Sequence, residues 1–146
     1  MDRRIDFSER AAALAHVAAE FAGWAPALTA LITDADTPPV PRPLHALPVD
    51  HCWERLPGVT LLGDAAHLMP PSGEGANLAM FDGAELARAI VAHPGNIEAA
   101  LAAYEAELFP RSTAEAAEAI RMTELLLGAG APHSLVDFVA GVLPPA

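Results

Sequence analysis

The stretch from Val59 to Leu86 limits what this chain can become more than any other part of it. Val59-Thr60-Leu61-Leu62 is short, apolar and β-branched, with Pro57-Gly58 before it and Gly63-Asp64 behind it; a run of that kind between two breakers predicts a buried strand. Gly63 lets the backbone turn sharply or approach a ligand. Asp64 then stands at the carboxyl end of the strand, where open α/β sheets place ligand-contacting groups. Pro70-Pro71 stops the chain, and Ser72, Gly73 and Gly75 give a small, flexible approach to a helix that starts near Gly75 or Ala76. The free N–H groups and positive dipole end of that helix face whatever electron-rich atom lies there.

Each piece alone has an ordinary reading. Strands often end in Gly-Asp, and Gly73-Glu74-Gly75 alone is a turn more often than a cradle. His67 alone reads as a packed or helix-capping histidine, and that reading is favoured for it. The ordered occurrence of all the pieces within two dozen residues is what carries information.

Gly63-Asp64-Ala65-Ala66-His67-Leu68-Met69-Pro70-Pro71, followed by Gly73-x-Gly75-x-Asn77 and by Asp82 and Leu86, resembles the second flavin motif of the FAD-dependent aromatic monooxygenases. That group includes para-hydroxybenzoate hydroxylase and the tetracycline-degrading monooxygenases. The resemblance implies that Gly63 and Asp64 meet the ribityl chain of FAD. It implies that Gly73, Glu74, Gly75, Ala76 and Asn77 reach the pyrimidine side of the flavin ring, where backbone donors stabilise developing charge, and that Pro71, in the proline loop bordering the substrate cavity, also contacts the cofactor. Met69 and Pro70 would border the substrate cavity. The motif departs from many members in lacking one residue between the prolines and the first glycine.

Composition bounds the partners. At 146 residues and 53% hydrophobic, the chain suits one domain with a real core. A net charge of −11, with eight arginines and no lysine, argues against nucleic acid or an anionic membrane as partner. The single cysteine, Cys52, fits a reducing, cytoplasmic setting. No apolar run approaches the length of a membrane span, and Met1-Asp2-Arg3-Arg4-Ile5-Asp6 has no signal-peptide core behind it.

Along the chain, Ser8 is the expected N-cap of a first helix with Ala11, Leu14, Ala15, Ala18, Phe21 and Ala22 on one face. Gly23 interrupts it. Trp24 to Ile32 reads as a second helical piece with Leu28, Leu31 and Ile32 inward, and Pro38 to Pro43 as an extended connector before a short strand at Leu44 to Leu47. His51-Cys52 makes no nucleophilic pair, because adjacent residues on an extended chain point to opposite sides.

After the motif, the expected helix carries a small-residue stripe of Ala76, Ala79, Gly83 and Ala87, bulk at Leu78, Phe81, Ile90 and Val91, and a Glu85–Arg88 solvent pair. Asn96 caps the next helix, with Ile97, Leu101, Tyr104 and Leu108 on one face. Pro110 should kink that helix or start a new segment, in which Glu115, Glu118, Arg121 and Glu124 form a wet face opposite Ala117, Ile120 and Leu127. Gly128 to His133 is a helix end and turn, since it follows a helix and lacks a third glycine. A last helix spans Ser134 to Val142, before Pro144-Pro145.

The expected fold is therefore α/β and predominantly helical, the C-terminal part of an FAD-binding, Rossmann-like monooxygenase fold lacking the N-terminal βαβ unit. Residues 1–57 would close the substrate domain, and 58–146 would belong to the FAD-binding domain with its trailing helices. The resemblance implies hydroxylation of an aromatic or polyketide-like molecule with NAD(P)H and O2 by the complete enzyme, and no activity for this chain alone. The alternative is a truncated, non-catalytic remnant that serves assembly. A strand with no sheet to join leaves backbone groups unpaired. The chain should then pair with a second copy, pair with a separately encoded N-terminal half, or hold together mainly by its helices.

Overall fold

The computed structural model describes residues 5–142, so Pro144 and Pro145 lie outside the described residues. The chain divides into two compact units, Met1–Pro43 and Leu44–Ala146. The first holds α1 (Arg10–Glu20) and α2 (Pro26–Thr33); the second holds α3 (Asp64–His67), α4 (Gly75–Ala92), α5 (Ile97–Leu127) and α6 (His133–Val142).

In the first unit, α1 and α2 are the helices anticipated from the apolar spacing, but the start of α1 differs. Glu9, not Ser8, occupies its N-cap position and makes no side-chain capping bond, while Ser8 donates its backbone N–H to Asp6 Oδ1 at 2.9 Å. Asp6 holds Ser8 in an earlier turn, so Ser8 is not free to cap. Gly23, at φ 89°, reverses the chain between the helices, and Phe21 meets Trp24 edge to face at 5.1 Å. Proline at the first position of α2 sacrifices no helical hydrogen bond. Leu28 and Leu31, expected inward, are 49% and 76% exposed, because among the described residues of this two-helix unit only Ala13 is fully buried.

The second unit is built on α5, with α4 packed along it. Asn96 caps α5 as anticipated, its Oδ1 accepting from Ala99 N at 3.1 Å. Ala66, Tyr104 and Leu108 form the core, with Trp53, Leu61, Leu86, Ala89 and Phe109 against it. Trp53 meets Phe109 edge to face at 4.7 Å. The inward stripe of the second half of α5 is Ser112, Ala116 and Ala119. Ile120 and Leu127, expected inward, are 43% and 73% exposed, so the stripe lies one residue away from the expected one. On α4, Leu78 and Asp82 are buried whereas Phe81, Ile90 and Val91 are exposed. Glu85 and Arg88 form the expected surface pair.

Pro110 neither ends nor divides α5, which runs unbroken from Ile97 to Leu127. Proline removes the bond to the carbonyl of Ala106, but Ala106 and Pro110 are both exposed, so water can serve that carbonyl. Buried residues on both sides of the proline, Leu108 and Ser112 among them, keep the two halves on one core.

The sheet expectation is not met. The described residues contain six helices and no strand; Leu56 and Val59 form one isolated bridge, and Leu44 to Leu47 has only Leu47 N–H donating to Leu68 O at 2.8 Å. Without a neighbouring strand, the 58–63 backbone is held by side chains of the helices. Gly58 N–H donates to Glu98 Oε1 at 2.7 Å, Tyr104 Oη donates to Leu61 O at 3.2 Å, and Gly63 N–H donates to Asp82 Oδ2 at 3.0 Å. Val59 and Leu62, expected buried, are 51% and 42% exposed, because no second layer covers them. Among the described residues no helix is long and apolar enough to cross a membrane.

Candidate functional site

The site grows from the turn at Gly63. Its φ of 59° and ψ of −143° lie where only glycine is unstrained, and a Cβ there would stand 3.2 Å from the Cβ of Ala79. The glycine therefore permits both the turn and the close approach of α4. The single turn of α3 follows, and Met69 to Pro71 lead to Gly73, again at positive φ, 91°, which redirects the chain into α4.

This path encloses a cavity of about 220 Å³ lined by Asp64, His67, Met69, Pro70, Pro71, Ser72, Gly73, Gly75 and Ala76. Seven residues singled out from the sequence are thus brought together: Asp64, Met69, Pro70, Pro71, Gly73, Gly75 and Ala76. Gly63, Glu74 and Asn77 do not line the cavity. Gly63 is buried behind the turn, and Glu74 Oε2 accepts from Asn77 Nδ2 at 3.2 Å on the exposed rim. The first backbone bond of α4 is Leu78 N–H to Glu74 O, so the N–H groups of Gly75, Ala76 and Asn77 have no partner within the helix.

Behind the cavity wall stands a residue whose part the motif did not reveal. Asp82 is fully buried and accepts three hydrogen bonds: from Gly63 N–H at 3.0 Å, from His67 Nε2 at 2.6 Å and from Arg111 Nη2 at 3.0 Å. With Oδ2 accepting from Gly63, the ionised carboxylate requires Nε2 of His67 to carry a proton. The Arg111 guanidinium also covers the Phe81 ring at 4.9 Å from its centroid. An aspartate in register with Leu78 and Leu86 on an otherwise apolar face was the available signal. His67 is buried and bonded as the favoured packing reading had it, although it also reaches the cavity.

A second buried acid supports the approach to the site. Glu105 accepts from Trp53 Nε1 at 3.2 Å, Arg55 Nη1 at 3.2 Å and Thr60 Oγ1 at 2.8 Å. Burial, aided by the charges of Asp82 and Glu105 and opposed by Arg111, raises the Tyr104 hydroxyl well above the ordinary tyrosine value.

A carboxylate acceptor and unpaired backbone donors around one cavity suit a hydroxylated chain joined to an electron-rich ring edge. At about 220 Å³ the cavity is smaller than the range of about 300–1,000 Å³ usual for whole ligands, so it fits part of a dinucleotide such as FAD.

Residues 55–119 match the family described as FAD binding domain. The chain is similar to the FAD-dependent urate hydroxylase of Mycolicibacterium vanbaalenii, 41% identical over 90 residues that make up 60% of this chain and 22% of the relative. It is 39% identical over 98 residues to the kynurenine 3-monooxygenase of Stenotrophomonas maltophilia, covering 66% of this chain and 21% of the relative. It is 31% identical over 110 residues to monooxygenase penA of Penicillium thymicola, covering 63% of this chain and 26% of the relative. The chain thus spans only about a fifth to a quarter of the length of these curated relatives. The matched region, residues 55–119, contains the whole 63–77 cavity path and both buried acids behind it, so the part of the chain that is similar to the FAD binding domain family and to these monooxygenases is the part that builds the site.

Proposed function

We propose that the chain is the C-terminal segment of an FAD-dependent monooxygenase that hydroxylates an aromatic or polyketide-like small molecule with NAD(P)H and O2. Residues 1–57 are read as the end of its substrate domain and 58–146 as the C-terminal part of its FAD-binding domain. The observation that carries this reading is the division of the cavity between an acceptor, Asp64, and the unpaired N–H groups that open α4. Urate and kynurenine, named for two relatives, are both ring-bearing small molecules, which supports the substrate class.

Bound FAD supplies the redox and oxygen-transfer chemistry. The chain's own residues bind and orient it. Asp64 would accept from ribityl hydroxyls, while the N–H groups of Gly75 and Ala76 would donate to the ring edge and stabilise negative charge there, with Asn77 at the rim of the same helix start. Pro71, Gly73 and Glu74 shape the approach, and Met69 and Pro70 wall off the substrate side. The small cavity and the exposure of Val59 and Leu62 support a half-site completed by a second copy or a separately encoded N-terminal half. The chain alone then does not turn over. A lone, free Cys52 supports a reducing, cytoplasmic setting.

The test is an FAD titration of the purified chain by flavin fluorescence, with Asp64→Ala as control. Saturable binding that the substitution weakens supports the half-site. Absence of saturable binding favours the second reading, a non-catalytic remnant that serves assembly, which the uncovered Val59 and Leu62 side chains also favour.

A further inference from the structure

We propose that Asp82 is a positioning residue for the FAD pocket: through Gly63 N–H and His67 Nε2 it holds both ends of the turn that presents Asp64, with Arg111 as its counter-charge. The proposal rests on the reading of residues 63–77 as a flavin half-site and assigns to α4 and α5 the control of that site's geometry.

The argument begins with the cost of the arrangement. A carboxylate removed from water persists only where its charge and its lone pairs are matched. Asp82 is fully buried and is matched on both oxygens, Oδ1 by Arg111 and Oδ2 by Gly63 and His67. Those partners come from three places in the chain: the residue before α3, the last residue of α3, and α5. Gly63 and His67 bracket Asp64, so the two bonds to Oδ2 fix the start and the finish of the short segment carrying it. α3 is only four residues long and has no stability of its own. Its turn is instead pinned from behind by Asp82, and the backbone bonds of Ala66 and His67 N–H to Gly63 O close it. His67 and Asp64 also line the cavity directly, so any rotation of this turn changes the cavity wall. Removing the Oδ2 acceptor therefore alters FAD contacts that Asp82 itself does not make.

Two paired substitutions separate positioning from bulk stability, since both remove the buried charges and neither strands one. Asp82→Asn/Arg111→Met keeps an amide oxygen that can accept from Gly63 and His67. Asp82→Leu/Arg111→Met keeps none. The hydrogen-exchange protection of the Gly63 amide, read by NMR, and the FAD dissociation constant with its visible spectrum are measured on both and on the wild-type chain.

The expected result is a protected Gly63 in the wild-type and Asn-containing chains. Their FAD affinities agree within about threefold, and the Leu-containing chain loses Gly63 protection and binds FAD about tenfold or more weakly. Equal FAD affinity and equal Gly63 protection in the two paired variants overturn the proposal. So does an unprotected Gly63 amide in the folded wild-type chain, a result that needs no variant to fold. If the wild-type chain binds no FAD, the half-site reading fails separately, and Gly63 protection alone decides whether Asp82 holds the turn.

Discussion

The hydroxyl of Tyr104, in the middle of α5, donates to the carbonyl of Leu61 at 3.2 Å, across 43 residues of chain. Leu61 belongs to a segment with the composition of a strand and no strand beside it. The bond replaces one that a sheet neighbour would make, and similar side-chain bonds from Glu98, Glu105 and Asp82 keep the segment on the helices.

Tyr104 links this fastening to pH. Its hydroxyl titrates above the ordinary tyrosine value because burial, chiefly, disfavours the phenolate. A folded value raised above the unfolded one stabilises the protonated form; the contribution is complete below about pH 10 and is lost as pH rises through the higher folded value. The chain has one tyrosine and no lysine, so few other groups obscure this limb. Urea unfolding from pH 8 to 12 should show stability falling above about pH 10 in the wild type and a flatter limb in Tyr104→Phe, with a cost to the variant of about 1 kcal/mol at neutral pH.

Glu105→Ala removes a buried acceptor shared by Trp53, Arg55 and Thr60. Arg55 is 30% exposed and can turn to water, which limits the loss. Chemical denaturation should give a destabilisation of about 2–3 kcal/mol. Glu98→Ala, at a more exposed position, should cost less than about 1 kcal/mol.

Gly63→Ala places a Cβ at a positive φ and against Ala79. The strain of about 1–3 kcal/mol falls on the turn before Asp64 and leaves α4 and α5 intact. Far-UV circular dichroism should keep its helical amplitude while FAD affinity drops; equal affinity in both chains would mean that the turn plays no part in binding.

Pro110→Ala returns a hydrogen bond to the middle of an unbroken helix. The exposed carbonyl of Ala106 gains a partner, and thermal unfolding should shift upward by a few degrees, corresponding to a gain of about 1–3 kcal/mol. No change in FAD affinity is expected, because Pro110 does not line the cavity.

How far the sequence was legible depended on whether a residue's partner lay nearby in the chain. Asn96, Gly128 and the start of α4 at Gly75 could be placed because caps and turns are local. Asp64, Met69, Pro70, Pro71, Gly73, Gly75 and Ala76 meet at one cavity because they follow each other around a single loop. The extended run Val59 to Leu62 has the composition of a strand and is none, because pairing is a property of the neighbour and the same composition is equally served by side-chain bonds to α5. The inward stripe after Pro110 was displaced by one residue because Ala116 and Ala117 are interchangeable in an apolar count, and only the tertiary contact selects one. The hub at Asp82 shows in the sequence only as an aspartate in register with Leu78 and Leu86, and its partners do not show, since Gly63, His67 and Arg111 reach it from distant parts of the chain.

The most direct test of the central claim, that residues 63–77 hold the ring and ribityl side of FAD, is a competition measurement on the purified chain. With flavin fluorescence as readout, riboflavin should displace FAD and share its dependence on Asp64, whereas ADP, which lacks ring and ribityl chain, should not compete. Displacement of FAD by ADP but not by riboflavin would contradict the assignment of Asp64 and the α4 N-terminus to the flavin side.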